Sequence, residues 1–97
     1  MRVVIHSILK LKEALGGGDV EMDLPQGTTV AGLLDRMRER WGERLSPHLF
    51  DPASDLPLPH VRVMVNGQTI RFLDGMETVL KEDDEVLLLP LVAGGRA

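Results

Sequence analysis

Apolar residues along this chain recur with two different periods. Arg2 to Leu11 (Arg-Val-Val-Ile-His-Ser-Ile-Leu-Lys-Leu) is rich in β-branched residues and apolar at both parities, which predicts a first strand. Gly16-Gly17-Gly18 interrupts it as a plain turn. Val20, Met22 and Leu24 then alternate with Glu21 and Asp23 up to Pro25, predicting a second strand with one wet face, paired with the first as an antiparallel hairpin. From Val30 the period lengthens: Val30, Leu33, Leu34, Met37 and Trp41 recur at helical spacing, while Asp35, Arg36, Arg38, Glu39 and Arg40 fill the opposite face. Thr28 and Thr29 are candidate N-caps and Gly42 a candidate stop, whereas Gly32 lowers the intrinsic propensity of this main helix. Residues 44 to 59 hold four of the six prolines (Pro47, Pro52, Pro57, Pro59), which predicts an irregular excursion with room for one short helical turn.

Strand spacing returns at His60 to Val65, where Val61, Val63 and Val65 share one side, and Asn66-Gly67 is suited to a type I′ turn into a return strand over Gln68 to Phe72. Asp74-Gly75 marks a turn, Met76 to Leu80 a short turn of helix, and Glu82-Asp83-Asp84 a solvated corner. Glu85 to Val92 is apolar at both parities, as in a central strand with both faces covered. The order strand, strand, helix, strand, strand, strand predicts an α+β fold in which one main helix packs on one face of a mixed five-stranded sheet. With the first and last strands central and parallel, this is the β-grasp, or ubiquitin-like, architecture. One domain over 1–92 is expected, with 93–97 as a flexible tail that has nothing to pack. A single helix covers a single sheet face, so either the excursion over 44–59 covers the other, or apolar residues there form a docking patch. Phe72, Leu87, Leu89 and Leu91 are the candidate partner-binding residues on the second reading.

Composition narrows the function. A net charge of −4 disfavours nucleic acid as a partner. With no cysteine there is no disulfide, no thiolate metal site and no thiol nucleophile on the chain itself. No apolar run reaches the length of a membrane span and the first residues lack the pattern of a signal peptide, so a cytoplasmic protein without a membrane role is expected. His6, His48 and His60 lack metal-ligand spacing, Ser7 lacks the glycines of a nucleophile elbow, and Asp83-Asp84-Glu85 lacks the spacing of a calcium loop. No bound cofactor or metal is expected.

The remaining motif is Ala93-Gly94-Gly95. Taken with Val63-Met64-Val65-Asn66-Gly67, with Leu80-Lys81-Glu82-Asp83-Asp84-Glu85-Val86, with Pro90-Leu91-Val92, and upstream with Leu24-Pro25-Gln26-Gly27-Thr28-Thr29-Val30 and Leu33-Leu34, it resembles the sulfur-carrier family of molybdopterin-synthase small subunits and thiamine-pathway carriers, MoaD and ThiS. The resemblance implies a non-catalytic carrier. In that family an E1-like adenylating enzyme uses ATP to convert the terminal glycine carboxylate, a poor electrophile, into an acyl-adenylate, and sulfur replaces AMP to leave a thiocarboxylate. Gly95 would be the acceptor and Gly94 the spacer, two residues without Cβ atoms that fit a narrow channel. The large subunit of molybdopterin synthase, or another sulfur-accepting enzyme, would be the second partner. The long segment 44–59 favours the molybdopterin type, with thiamine- or cysteine-type sulfur delivery, ubiquitin-like conjugation through Gly95 and a plain interaction module as alternatives. In this chain Arg96 and Ala97 follow Gly95, so its carboxyl is held in a peptide bond and a peptidase must remove them first.

Overall fold

The computed structural model describes residues 1–91. Strand β1 (Arg2–Ser7) is followed by helix α1 (Leu9–Leu15) and strand β2 (Asp19–Asp23). The pairing of β1 with β2 is antiparallel, as the alternation predicts, but its register is set across a helix rather than a tight hairpin. The expected strand over Arg2 to Leu11 therefore stops at Ser7. Its β-branched residues end at Ile8, and Leu9 to Leu15 consists entirely of strong helix formers. Leu11, Ala14 and Leu15 are buried at helical spacing. Gly16, expected as a plain turn, is the cap of this helix: at φ 83° its N–H reaches the Lys12 and Glu13 carbonyls, a conformation a Cβ would strain.

Helix α2 (Val30–Trp41) buries Val30, Leu33, Leu34 and Met37 against the sheet. Thr29 caps it, its hydroxyl oxygen accepting from the Gly32 N–H at 3.2 Å. Gly32, unfavourable for a helix, sits where an added Cβ would lie 3.1 Å from the Thr28 methyl group, so a side chain there would require Thr28 to give by a few tenths of an ångström. Thr29→Ala removes the acceptor and leaves the chain path intact. It is expected to cost about 1 kcal/mol, a fall in melting temperature of roughly 4–8 °C in a thermal scan.

The excursion contains one 3-10 turn (Gly42–Arg44) and one short helix, α3 (Ser46–Leu49), in line with its proline density. Leu45, Leu49 and Phe50 are buried in the same core as α2. Strand β3 (Val61–Val65) turns through Asn66 (φ 50°) and Gly67 (φ 87°) into β4, which is only Gln68–Thr69. The return strand expected to reach Phe72 gives way to a 3-10 turn at Ile70–Phe72, which tucks Ile70 against the core. The helical turn expected over Met76 to Leu80 is shifted to a 3-10 turn at Gly75–Glu77. Beyond it Leu80 is buried and Val79 bridges Thr29.

Strand β5 (Glu85–Pro90) lies in the middle of the order β2-β1-β5-β3-β4, parallel to β1 and antiparallel to β3. This is the β-grasp arrangement. The expectation that β5 is covered on both faces is corrected here. Val86 and Leu88 are buried under α2, but Leu87 and Leu89 point to the other face and are only half-buried. Both the helices and the excursion contribute to the one core on the α2 side, so the second sheet face stays open to solvent.

Candidate docking face and tail exit

The register assigns the residues of this open face. Val3, Ile5 and Ser7 point into the core, leaving Arg2, Val4 and His6 outside. Val4 lies opposite Glu21 and Glu85, His6 opposite Asp19 and Leu87, Leu87 opposite Met64, and Leu89 opposite Arg62. An apolar strip of Val4, Leu87, Leu89 and Met64, all half-buried, thus crosses the three middle strands with charged groups on both sides. Of the four predicted partner-binding residues, Leu87 and Leu89 belong to the strip. Leu91, 39% exposed, follows just past the end of β5, where its N–H donates to the His60 carbonyl at 2.6 Å. Phe72 stands apart from them, in the 3-10 turn beyond the sheet's far edge, and is 84% exposed.

His6 holds the acidic side of the face. Its Nδ1 is 2.6 Å from an Asp19 carboxylate oxygen on β2 and its Nε2 is 2.8 Å from a Glu85 oxygen on β5, so one ring ties three strands. An ionised carboxylate only accepts, which requires both ring nitrogens to donate and the ring to be the imidazolium. The Asp19 hydrogen bond above all holds the His6 pKa above its ordinary value of 6.5; partial burial opposes it, and Glu85 and the charges of both carboxylates support it. A raised folded-state pKa stabilises fully below the unfolded value and ceases to do so as pH rises through the folded one. The melting temperature is therefore expected to fall as pH passes through the His6 titration. The His6 imidazole resonances should show a midpoint above 6.5 that drops in Asp19→Asn. A midpoint unmoved by that substitution would contradict the bridge. Nearby, Arg2 reaches Asp83 at 3.1 Å and Glu21 at 3.5 Å, an exposed pair of contacts that adds little stability.

Neither Val4, Met64 nor His6 was marked by the sequence as part of a face. Arg2 and His6, the polar residues two positions either side of Val4, are the signal that could have found this face, since alternate residues of a strand share a side. No group of three metal-ligating side chains exists among the described residues, and no helix there is long and apolar enough to cross a membrane. Gly94 and Gly95, with the whole predicted tail 93–97, lie outside the described residues. The chain leaves the sheet at Leu91, whose side chain lines two clefts, one against α1 and α3 and the other at the free edge of β3.

Comparison with known proteins agrees with this architecture. Residues 9–95 match the model of the ThiS family, a span that contains both glycines. Among relatives, the sulfur carrier protein CysO of Mycobacterium tuberculosis is 33% identical over 70 residues, covering 71% of this chain and 74% of its own. Small archaeal modifier protein 3 of Haloferax volcanii is 28% identical over 95 residues, covering 98% of this chain and 100% of its own. Among solved structures, SAMP1 from Haloferax volcanii superposes with a TM-score of 0.83 at 23% identity, covering 98% of this chain and all of that one, a likeness of fold. A chain of the Amycolatopsis orientalis BexX/CysO complex superposes with a TM-score of 0.75 at 28% identity, covering 96% of this chain and 99% of that one.

Proposed function

Since this chain belongs to the ThiS family, we propose that it is a sulfur carrier whose Gly95 carboxylate, freed of Arg96 and Ala97, is adenylated and converted to a thiocarboxylate. The observation that carries the proposal is the family match extending through Gly95 on a chain without cysteine. The chain itself is the non-catalytic member of the reaction. A carboxylate oxygen of Gly95 attacks the α-phosphorus of ATP in the partner's site, pyrophosphate leaves, and a sulfur nucleophile then expels AMP from the acyl carbon. What the fold supplies is docking. Leu87 and Leu89 form the middle of the apolar strip, Leu91 stands where β5 releases the tail, and an E1-like adenylating enzyme seated on the strip receives Gly94 and Gly95 alongside. Phe72 would contribute only to a partner large enough to reach the far edge of the sheet. ATP binds to that partner rather than to this chain.

The sulfur recipient is proposed as a biosynthetic enzyme that takes sulfur from a C-terminal thiocarboxylate. Molybdopterin synthase is one, favoured by the ordered segment 44–59, and the CysO relative supports a recipient outside that pathway. A second reading has an observation of its own: the near full-length likeness to small archaeal modifier protein 3 supports conjugation of Gly95 to lysines of target proteins. One experiment separates them. The chain cut after Gly95 is incubated with an E1-like enzyme, ATP and a sulfur donor, and intact masses are read. A sulfur-for-oxygen exchange supports the carrier, protein adducts support the modifier, and neither product defeats both.

A further inference from the structure

The sheet has an unfinished edge on β3. Because β4 pairs only with Met64 and Val65, the first half of β3 has no neighbouring strand on its outer side. Two hydrogen bonds fix which way its backbone points: the Asn66 N–H donates to the Glu85 carbonyl, and the His60 carbonyl accepts from the Leu91 N–H, so the backbone groups of even-numbered residues face β5 and those of odd-numbered ones face outward. Of the outward N–H groups, Val61 donates to the Leu58 carbonyl, whereas that of Val63 lies one residue beyond the last β3–β4 pair and takes no ladder partner on that side. An unpaired backbone donor beside a cleft calls for an acceptor.

The cleft is present. A cavity of about 320 Å³ runs along this edge between the 56–59 segment and the 3-10 turns after β4. Leu56, Ile70 and Met76 give it an apolar lining, and Leu56 is half-exposed at 52% without any cover. Its charged lining residues are Arg62 and Arg71, neither of which has an ion pair among the described residues. On a chain of net charge −4, a cleft lined by two arginines and no carboxylate is a local reversal of sign.

We propose that this edge cleft docks an extended, acidic segment of a partner protein, which adds to β3 as a strand, accepts from the Val63 N–H, places an apolar side chain against Leu56 and Met76 and meets Arg62 and Arg71 with its carboxylates. Backbone pairing supplies affinity and the arginines supply specificity. The surface lies at the opposite edge of the sheet from the acidic side held by His6, so a partner attached here approaches from a different direction. The proposal does not depend on Gly95 chemistry.

The test uses the ¹⁵N-labelled full chain and two capped pentapeptides, Val-Glu-Val-Glu-Val and Val-Lys-Val-Lys-Val. The glutamate peptide is expected to shift the Val63 amide downfield and slow its exchange with solvent, binding about tenfold tighter than the lysine peptide. The double substitution Arg62→Glu, Arg71→Glu should invert that preference while the spectrum keeps its dispersion. Leu56→Asp, on an exposed position, serves as a second variant and should weaken both peptides. Equal binding of the two peptides overturns the proposal, as do shifts confined to Leu87 and Leu89 or an unmoved Val63. Concentration-dependent protection of Val63 without peptide would assign the edge to a second copy. Protection lost on cutting the chain after Leu91 would assign it to the chain's own tail. Either result also overturns it.

Discussion

The chain that retains Arg96 and Ala97 is expected to be inert toward its activating enzyme, and the same chain cut after Gly95 to be fully competent. At Gly95 the difference is all-or-none because it is chemical rather than energetic. An amide carbonyl oxygen has no free negative charge with which to attack phosphorus, and even if it did, the product would lack the mixed anhydride that makes AMP a leaving group. Among the described residues the core is complete by Leu88. Both forms should therefore melt at the same temperature. The measurement is an intact mass after incubation with the enzyme and ATP, with pyrophosphate release as an independent readout. Equal turnover of the two forms would remove the gate, and inactivity of both would remove the carrier assignment.

Two adjacent leucines should give opposite phenotypes. Leu88 is fully buried under α2 between Ser7 and Val63, and Leu88→Ala is expected to cost about 2–5 kcal/mol through lost transfer energy and the cavity left behind. For a domain of this size that is a fall of roughly 10 °C or more in melting temperature. Leu87, one residue earlier, faces the open side between His6 and Met64. Leu87→Asp should leave melting within a few degrees but weaken binding of the activating enzyme about thirtyfold, the loss of one interface anchor worth about 2 kcal/mol. If Leu87→Asp unfolds the protein, the strip is core and the docking face lies elsewhere. If it neither unfolds the protein nor weakens binding, the enzyme does not use this face.

The contrast between these leucines marks where the sequence is readable and where it is not. Val61, Val63 and Val65 show their buried side plainly because three valines alternate with Arg62 and the unbranched Met64, and the apolar stripe of α2 is as plain against its charged face. In Glu85 to Pro90 both parities are apolar, and a linear pattern cannot say which of two apolar faces another element will cover. That depended on where residues 44–59 go, and they join the α2 side through Leu45, Leu49 and Phe50. Helix α1 was hidden by its length. Seven residues offer less than two full periods, and a leucine-rich run is as apolar as a strand, so the helix propensity of Leu-Lys-Leu-Lys-Glu-Ala-Leu was the better guide. The His6 bridge could not be seen at all before the strands were in register, since Asp19 and Glu85 meet it from opposite ends of the chain. The chemistry of Gly95 was readable only through family resemblance, because no physical property of two glycines specifies sulfur.

The parallel pairing of β1 with β5 has a consequence for how this protein comes into being. The first strand made is joined in the sheet by the last, with Arg2 meeting Asp83 across a sequence separation of 81 residues. During synthesis β1 and β2 can pair early, but the central place between β1 and β3 stays vacant until β5 has cleared the ribosome. Closing so long a loop makes folding slow for a domain this small, and it defers completion of the core until β5 is available. A nascent chain interrupted before β5 has no finished core to hold it together. Only a chain that includes β5 becomes a folded one, and the strand that completes the core is the same strand that leads into the two glycines.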